Sequence, residues 1–211
     1  MNNPLKKTNM NIDSIVDDVA LLLNLPPPSF TSPETPFSSA FRRRILLDLE
    51  ECAAKALSSL PPETPLPVKP FPQGSLISHS ENEYRLPLPD DFLCLRSLRM
   101  SDWTVDSLHT FPADHWLLRF QSSGIETLAA ASDRPLVFLD SSPDGKGCLR
   151  IFGSGPGASV AKGFYLPHPR INEAGEIDIP PAAYRALLAE LVTACFGPSS
   201  EQALCISHTD R

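Results

Sequence analysis

Apolar side chains recur at helical spacing in three stretches of this chain and alternate with polar ones in the stretches between. Ile12, Ile15, Val16, Val19, Leu22 and Leu23 return every three or four residues, which predicts a short helix over residues 12–24. Asn11 or Asp13 can cap its start, and Pro26-Pro27-Pro28 stops it. Phe41, Ile45, Leu49, Cys52, Ala53, Ala56 and Leu60 make a longer stripe, with Asp48, Glu50, Glu51 and Lys55 largely off it. That spacing predicts a helix from Ser38 or Ser39 to Leu60, and such a helix needs a partner for its apolar face. Tyr184, Leu187, Leu188, Leu191, Val192 and Cys195 predict a last strong helix over residues 180–196. Proline opens it and Gly197-Pro198 closes it. A short tail helix over residues 201–206 is the final helical expectation.

Between the helices the period changes to two. Tyr84, Leu86 and Leu88 alternate with polar or proline positions, and Leu93, Leu95 and Leu98 continue the run up to Trp103. Prolines 87 and 89 place this strand at an edge or a strand end. Further strands are expected over residues 135–140, 148–152 and 163–167, with Ser141–Gly147 as a hairpin turn. Residues 112–116 read as a short helical turn, and residues 153–157 as a flexible loop. Trp103, Trp116, Phe111 and Phe120 are assigned to the core of this β region, with an interface role second. Helices at both ends and strands between them predict an α+β fold. In it the N-terminal helices and the C-terminal helix pack together, with helix 38–60 against helix 180–196. A small antiparallel β module lies between them, and the divisions fall at residues 1–62, 63–175 and 176–211. No internal repeat is present.

Composition narrows the class. The 211 residues suit one domain with extensions or two small ones, and 42% hydrophobic content suffices for a real core. A formal charge of −7 and a sequence pI near 5.2 disfavour a dedicated nucleic-acid binder. The 23 prolines are more than twice the usual ~5% usage. They cluster at 26–36, 61–72 and 87–89, and read as extended connectors and corners because proline fixes φ and lacks a donor. No apolar run approaches the ~18 residues of a membrane span. The basic start Met1–Lys7 lacks an apolar continuation, so a cytoplasmic protein without a signal peptide is expected. Five cysteines without a Cys-x-x-Cys pair read as reduced thiols.

Candidate chemistry is sparse. Gly153–Ser159 is glycine-rich, but Pro156 removes a donor and Lys162 lies too far along for a phosphate loop. The five histidines show no ligand spacing. Asp90 and Asp91 are adjacent, whereas paired acid–base carboxylates must face each other across a substrate, so they read as turn residues. No Gly-x-Ser-x-Gly elbow occurs. The chain therefore nominates no catalytic, cofactor-binding or metal-ligating residue. Arg42, Arg43 and Arg44 form one basic cluster near a helix start, either a solvated surface or a contact with an acidic partner or a phosphate backbone.

At Leu88-Pro89-Asp90-Asp91-Phe92-Leu93 with Arg96, then Leu98-Arg99-Met100 and Trp103, the chain resembles head-to-tail adaptor (connector or ring) proteins of tailed bacteriophages and prophages. Those proteins carry a Leu-Pro-x-Asp-Phe-Leu-Arg-Leu strand entry after two N-terminal helices. An Arg-Pro then Asp/Glu-Gly hairpin, a Tyr-x-Pro strand and a helix follow. Arg134-Pro135, Asp144-Gly145, Tyr165-Leu166-Pro167 and Ile177-Asp178-Ile179-Pro180 take those places in order. The resemblance spans residues 12–196; Cys94 stands where an arginine is common, and the long proline-rich connectors are a second departure. It implies a structural, non-enzymatic protein in a ring of about a dozen copies with closed cyclic symmetry between portal and tail. The partners implied are copies of itself and portal or tail proteins, with neither membrane nor small-molecule substrate. An internal channel would pass DNA without reading its sequence, past Arg42–Arg44. The location implied is the bacterial cytoplasm and then the virion. The alternative is a cytoplasmic α+β binding protein of a mobile element, with a protein or small-molecule partner.

Overall fold

In a computed structural model the chain is mixed α and β, with three helices and several antiparallel sheets among the described residues. The structure describes residues 9–26, 36–61, 64–72, 74, 76–80, 82–121, 123, 125, 127–141 and 145–197. In chain order the elements are β1 (Asn9–Asn11), α1 (Ile12–Leu22), α2 (Pro36–Ser58), β2 (Lys69–Pro70), β3 (Ile77–Ser80), β4 (Glu83–Pro87), β5 (Phe92–Met100), β6 (Phe111–Pro112), a 3-10 helix (Trp116–Phe120), β7 (Leu136–Ser141), β8 (Gly147–Phe152), β9 (Val160–Pro167), β10 (Glu176–Asp178) and α3 (Pro181–Phe196). They fall into two compact units, Met1–Pro67 with His168–Arg211, and Val68–Pro167.

The first unit is helical. Asn11 accepts the Asp13 N–H at 2.8 Å and so caps α1. Asn24, at φ 55°, takes the left-handed conformation and lets the Leu25 N–H reach back to the Ala20 carbonyl at 2.9 Å. The helix therefore stops before the prolines expected to end it. Ile15 and Val19 of α1, Ile45, Leu49 and Ala53 of α2, and Leu187 and Leu191 of α3 are fully buried, and both α1 and α2 pack against α3. Each buried leucine or isoleucine contributes roughly 1.5–3 kcal/mol. Polar ties complete the packing. The Tyr184 hydroxyl donates to the Asp18 carboxylate, and Glu50 accepts from Arg170 at 2.9 Å and from the Ile171 N–H at 3.0 Å. A two-stranded ribbon of β1 and β10 belongs to this unit; three residues per strand are too few to show alternation in the sequence.

The second unit holds two sheets rather than one. One is three-stranded and antiparallel in the order β2-β9-β5; the other runs β3-β4-β8-β7-β6, its last pair parallel. Tyr84, Leu86, Leu95, Leu98, Met100, Trp103 and Ile151 are among the residues of its common core. The small antiparallel module expected from the sequence does not show this split, because β5 does not alternate cleanly. Register shifts along its pairing with β9 leave Leu95, Arg96, Ser97 and Leu98 buried in succession. The turn expected at residues 112–116 is present, closed by the His115 N–H on the Pro112 carbonyl at 3.0 Å, and a 3-10 helix with no buried residue follows it. Trp116 is 54% exposed, contrary to its assignment to the core, while Trp103 is buried and Phe111 and Phe120 are half-buried. Trp116 instead meets the His115 ring at a tilt and the Phe120 ring edge-on, each with centroids 5.7 Å apart. Most of the 26–36 connector, Pro62 and Glu63, the centre of the 141–147 turn, the tail helix, Cys205, His208 and the Met1–Lys7 start lie outside the described residues.

Candidate functional site

The corner between β4 and β5 joins the two sheets of the second unit. Proline at 87 and 89 ends the ladder, and the Phe92 N–H closes the turn on the Pro89 carbonyl at 3.0 Å. The two aspartates then diverge. Asp90 is exposed, whereas Asp91 accepts from Lys69 Nζ at 2.6 Å and from the Tyr165 hydroxyl at 2.8 Å. Asp91 thus fastens β2 and β9 to the corner. The Lys69 ammonium holds its carboxyl below the ordinary range, and burial with the Asp91 hydrogen bond pushes the Tyr165 phenol up to about 12. The Phe71, Phe92 and Tyr165 rings pack beside it with centroids 5.1–6.1 Å apart. This carboxylate acts as a clamp, with a lysine and a phenol as its partners.

The glycine-rich segment is fastened rather than flexible. Tyr84 donates to the Gly155 carbonyl at 2.7 Å and accepts the Ala158 N–H at 3.1 Å. Asp102 accepts the Gly155 N–H at 2.7 Å, and the Trp103 indole donates to the Gly153 carbonyl at 3.0 Å. Gly153 itself needs φ +96°, and a Cβ there would lie 2.8 Å from the Ala131 carbonyl oxygen. The sequence shows the glycines but not their anchors, which come from 50 and more residues away. Lys162 pairs with Asp106 at 2.7 Å.

The three arginines separate on α2. Arg42 pairs with Asp13 at 2.9 Å, and Arg44 pairs with Asp48 at 3.5 Å and donates to the Ala194 carbonyl at 3.3 Å. Arg43 is exposed and has no ion-pair partner among the described residues. A charge network invisible in the sequence sits on β4, β7 and β8. Glu83 accepts from Arg150 Nε at 2.9 Å, Arg150 Nη2 at 3.0 Å and Arg85 Nε at 3.1 Å, and Arg150 also reaches Asp140 at 3.3 Å. Burial works against the Glu83 charge, but the two guanidinium groups outweigh it and the carboxyl lies below its ordinary value. Only the cross-strand register, with Arg85 opposite Arg150, brings these residues together.

The described cysteines suit packing. Burial pushes the Cys52 thiol up to about 11 and raises Cys148 and Cys195, which leaves them weak nucleophiles. Among the described residues no cluster of histidine, cysteine or carboxylate groups could hold a metal ion. The concave surfaces include a groove of about 620 Å³ along Phe71, Leu76 and Val160–Phe164, and an apolar cleft of about 510 Å³ beside the corner. Another, of about 340 Å³, lies over Glu83 and Arg150. No helix among the described residues is long and apolar enough to cross a membrane. Neither a family model nor a curated protein matches the chain.

Proposed function

We propose that this protein is a head-to-tail adaptor of a tailed bacteriophage or prophage, assembling as a ring between portal and tail. The observation that carries the reading is the order of elements around the corner. Two helices (α1, α2) precede the strand entry at Leu88–Leu93, the β7–β8 hairpin follows, Tyr165-Leu166-Pro167 ends β9, and α3 comes last. That is the order in which the resembling proteins carry their motifs. In this reading the helical unit, residues 1–67 and 168–211, and the β unit of residues 68–167 inserted in its sequence are the two parts of one ring subunit. The work of the protein is shape and self-association, so it calls for no catalytic group, cofactor or metal. Its partners are its own copies and portal or tail proteins, in the host cytoplasm and then in the virion.

Arg43 is the best candidate of the basic cluster for a contact outside the chain, because Arg42 and Arg44 already face carboxylates. The test is negative-stain microscopy of the protein mixed with a tailed-bacteriophage portal protein. The expected result is an added annulus at the narrow end of the portal. A portal that remains bare at saturating protein overturns the reading.

A further inference from the structure

The corner does more than join two sheets, since an apolar cleft opens beside it. Leu88, Phe92, Leu93, Ala113 and Leu139 supply its apolar lining, and its volume is about 510 Å³. Leu139 is 40% exposed. Pro112 pairs with Leu139, and the Phe111, His115 and Trp116 rings continue the surface outward with centroids 4.7 and 5.7 Å apart. Two exposed carboxylates without ion-pair partners among the described residues stand next to lining residues in the chain: Asp90, between Leu88 and Phe92, and Asp114, after Ala113. Lys146, next to Gly147 in the lining, already interacts within the chain.

The outer face of α2 carries the converse arrangement. Leu47 is 69% exposed, and Arg43 stands one helical turn before it on the same face. An exposed leucine beside an arginine without an ion-pair partner among the described residues matches, in polarity and in sign of charge, an apolar cleft whose lining residues have exposed aspartates next to them in the chain. We propose that Leu47 and Arg43 of one copy dock in the Leu88–Leu93–Leu139 cleft of a second copy, with Arg43 meeting Asp90 and Asp114. The contact is heterologous, because each copy offers a plug on α2 and a socket at the corner. Such a contact propagates head to tail and closes into a ring where the rotation allows. This inference rests on the adaptor reading for its biological setting but not for its chemistry.

The test uses the full chain in sedimentation velocity, with Leu47→Asp, Leu139→Asp and an equimolar mixture of the two. Both substitutions are at exposed positions, and circular dichroism checks the fold. Each variant alone should lose self-association, by at least about tenfold in the association constant. The mixture should form a heterodimer and stop there, since one intact plug and one intact socket remain. Exchange of charge, Arg43→Asp with Asp90→Arg and Asp114→Arg, should restore what either side alone weakens. Wild-type protein that stays monomeric both alone and on the portal overturns the proposal. So does undiminished association of either variant, or a mixture without heterodimer. Portal rings that persist in Leu47→Asp overturn this interface and spare the adaptor reading. A heterodimer in the mixture beside a bare portal does the reverse.

Discussion

Glu83 carries two guanidinium groups on one buried carboxylate, so it is where a single atom change should matter most. Glu83→Gln should lower stability by about 2–3 kcal/mol, below the ~3–5 kcal/mol of a fully buried pair because Arg150 keeps some contact with solvent. The folded carboxyl titrates below its ordinary value of 4.5, so its contribution is complete above that value and fades as pH falls through the folded one. The urea midpoint of the wild type should therefore drop between about pH 5 and pH 3, and the glutamine variant should show a shallower drop. An identical slope in both would remove Glu83 from the account. Gly153→Ala tests the fastened loop. Its positive φ and the approach of the Ala131 carbonyl should make alanine cost about 1–3 kcal/mol, read as a shift in the same urea curve. An unchanged midpoint would mean the segment yields freely.

Two leucines of α2, two positions apart, separate what packs from what is displayed. Leu49→Ala should cost about 2–5 kcal/mol, because Leu49 is fully buried in the helical core. Leu47→Asp should change thermal stability by no more than about 0.5 kcal/mol, since Leu47 faces water in the single copy. The reverse ranking would place α2 the other way round. Helices are legible in the sequence because a stripe every three to four residues belongs to the helix alone: Phe41, Ile45, Leu49 and Cys52 are all buried where the spacing puts them. Strands are less so. The shifts in β5 bury Arg96 and Ser97 between two leucines, which spoils alternation. The strands β1, β2, β6 and β10 are two or three residues long and carry no period at all. Asp91 is legible as a corner residue, but not as the partner of Lys69 and Tyr165, because those contacts depend on register. Trp116 misleads for a general reason: a tryptophan is usually buried, and nothing local marks one that meets neighbouring rings at the surface.

For the whole molecule, each unit has its own core, and neither presents a metal cluster among the described residues. What they do present is surface: an exposed leucine and arginine on α2, and an apolar cleft with exposed aspartates at the corner. Those are the features on which the proposed contact between copies rests. If the charges at this contact steer association, raising the salt concentration should weaken it, and the Arg43→Asp variant should lose that dependence. A salt response identical in both would detach Arg43 from the interface. The most direct test of the central claim is electron microscopy of this protein mixed with a tailed-bacteriophage portal protein. The account predicts a cyclic annulus seated on the narrow end of the portal, formed by wild-type protein. A bare portal at saturating concentration of folded protein would contradict it.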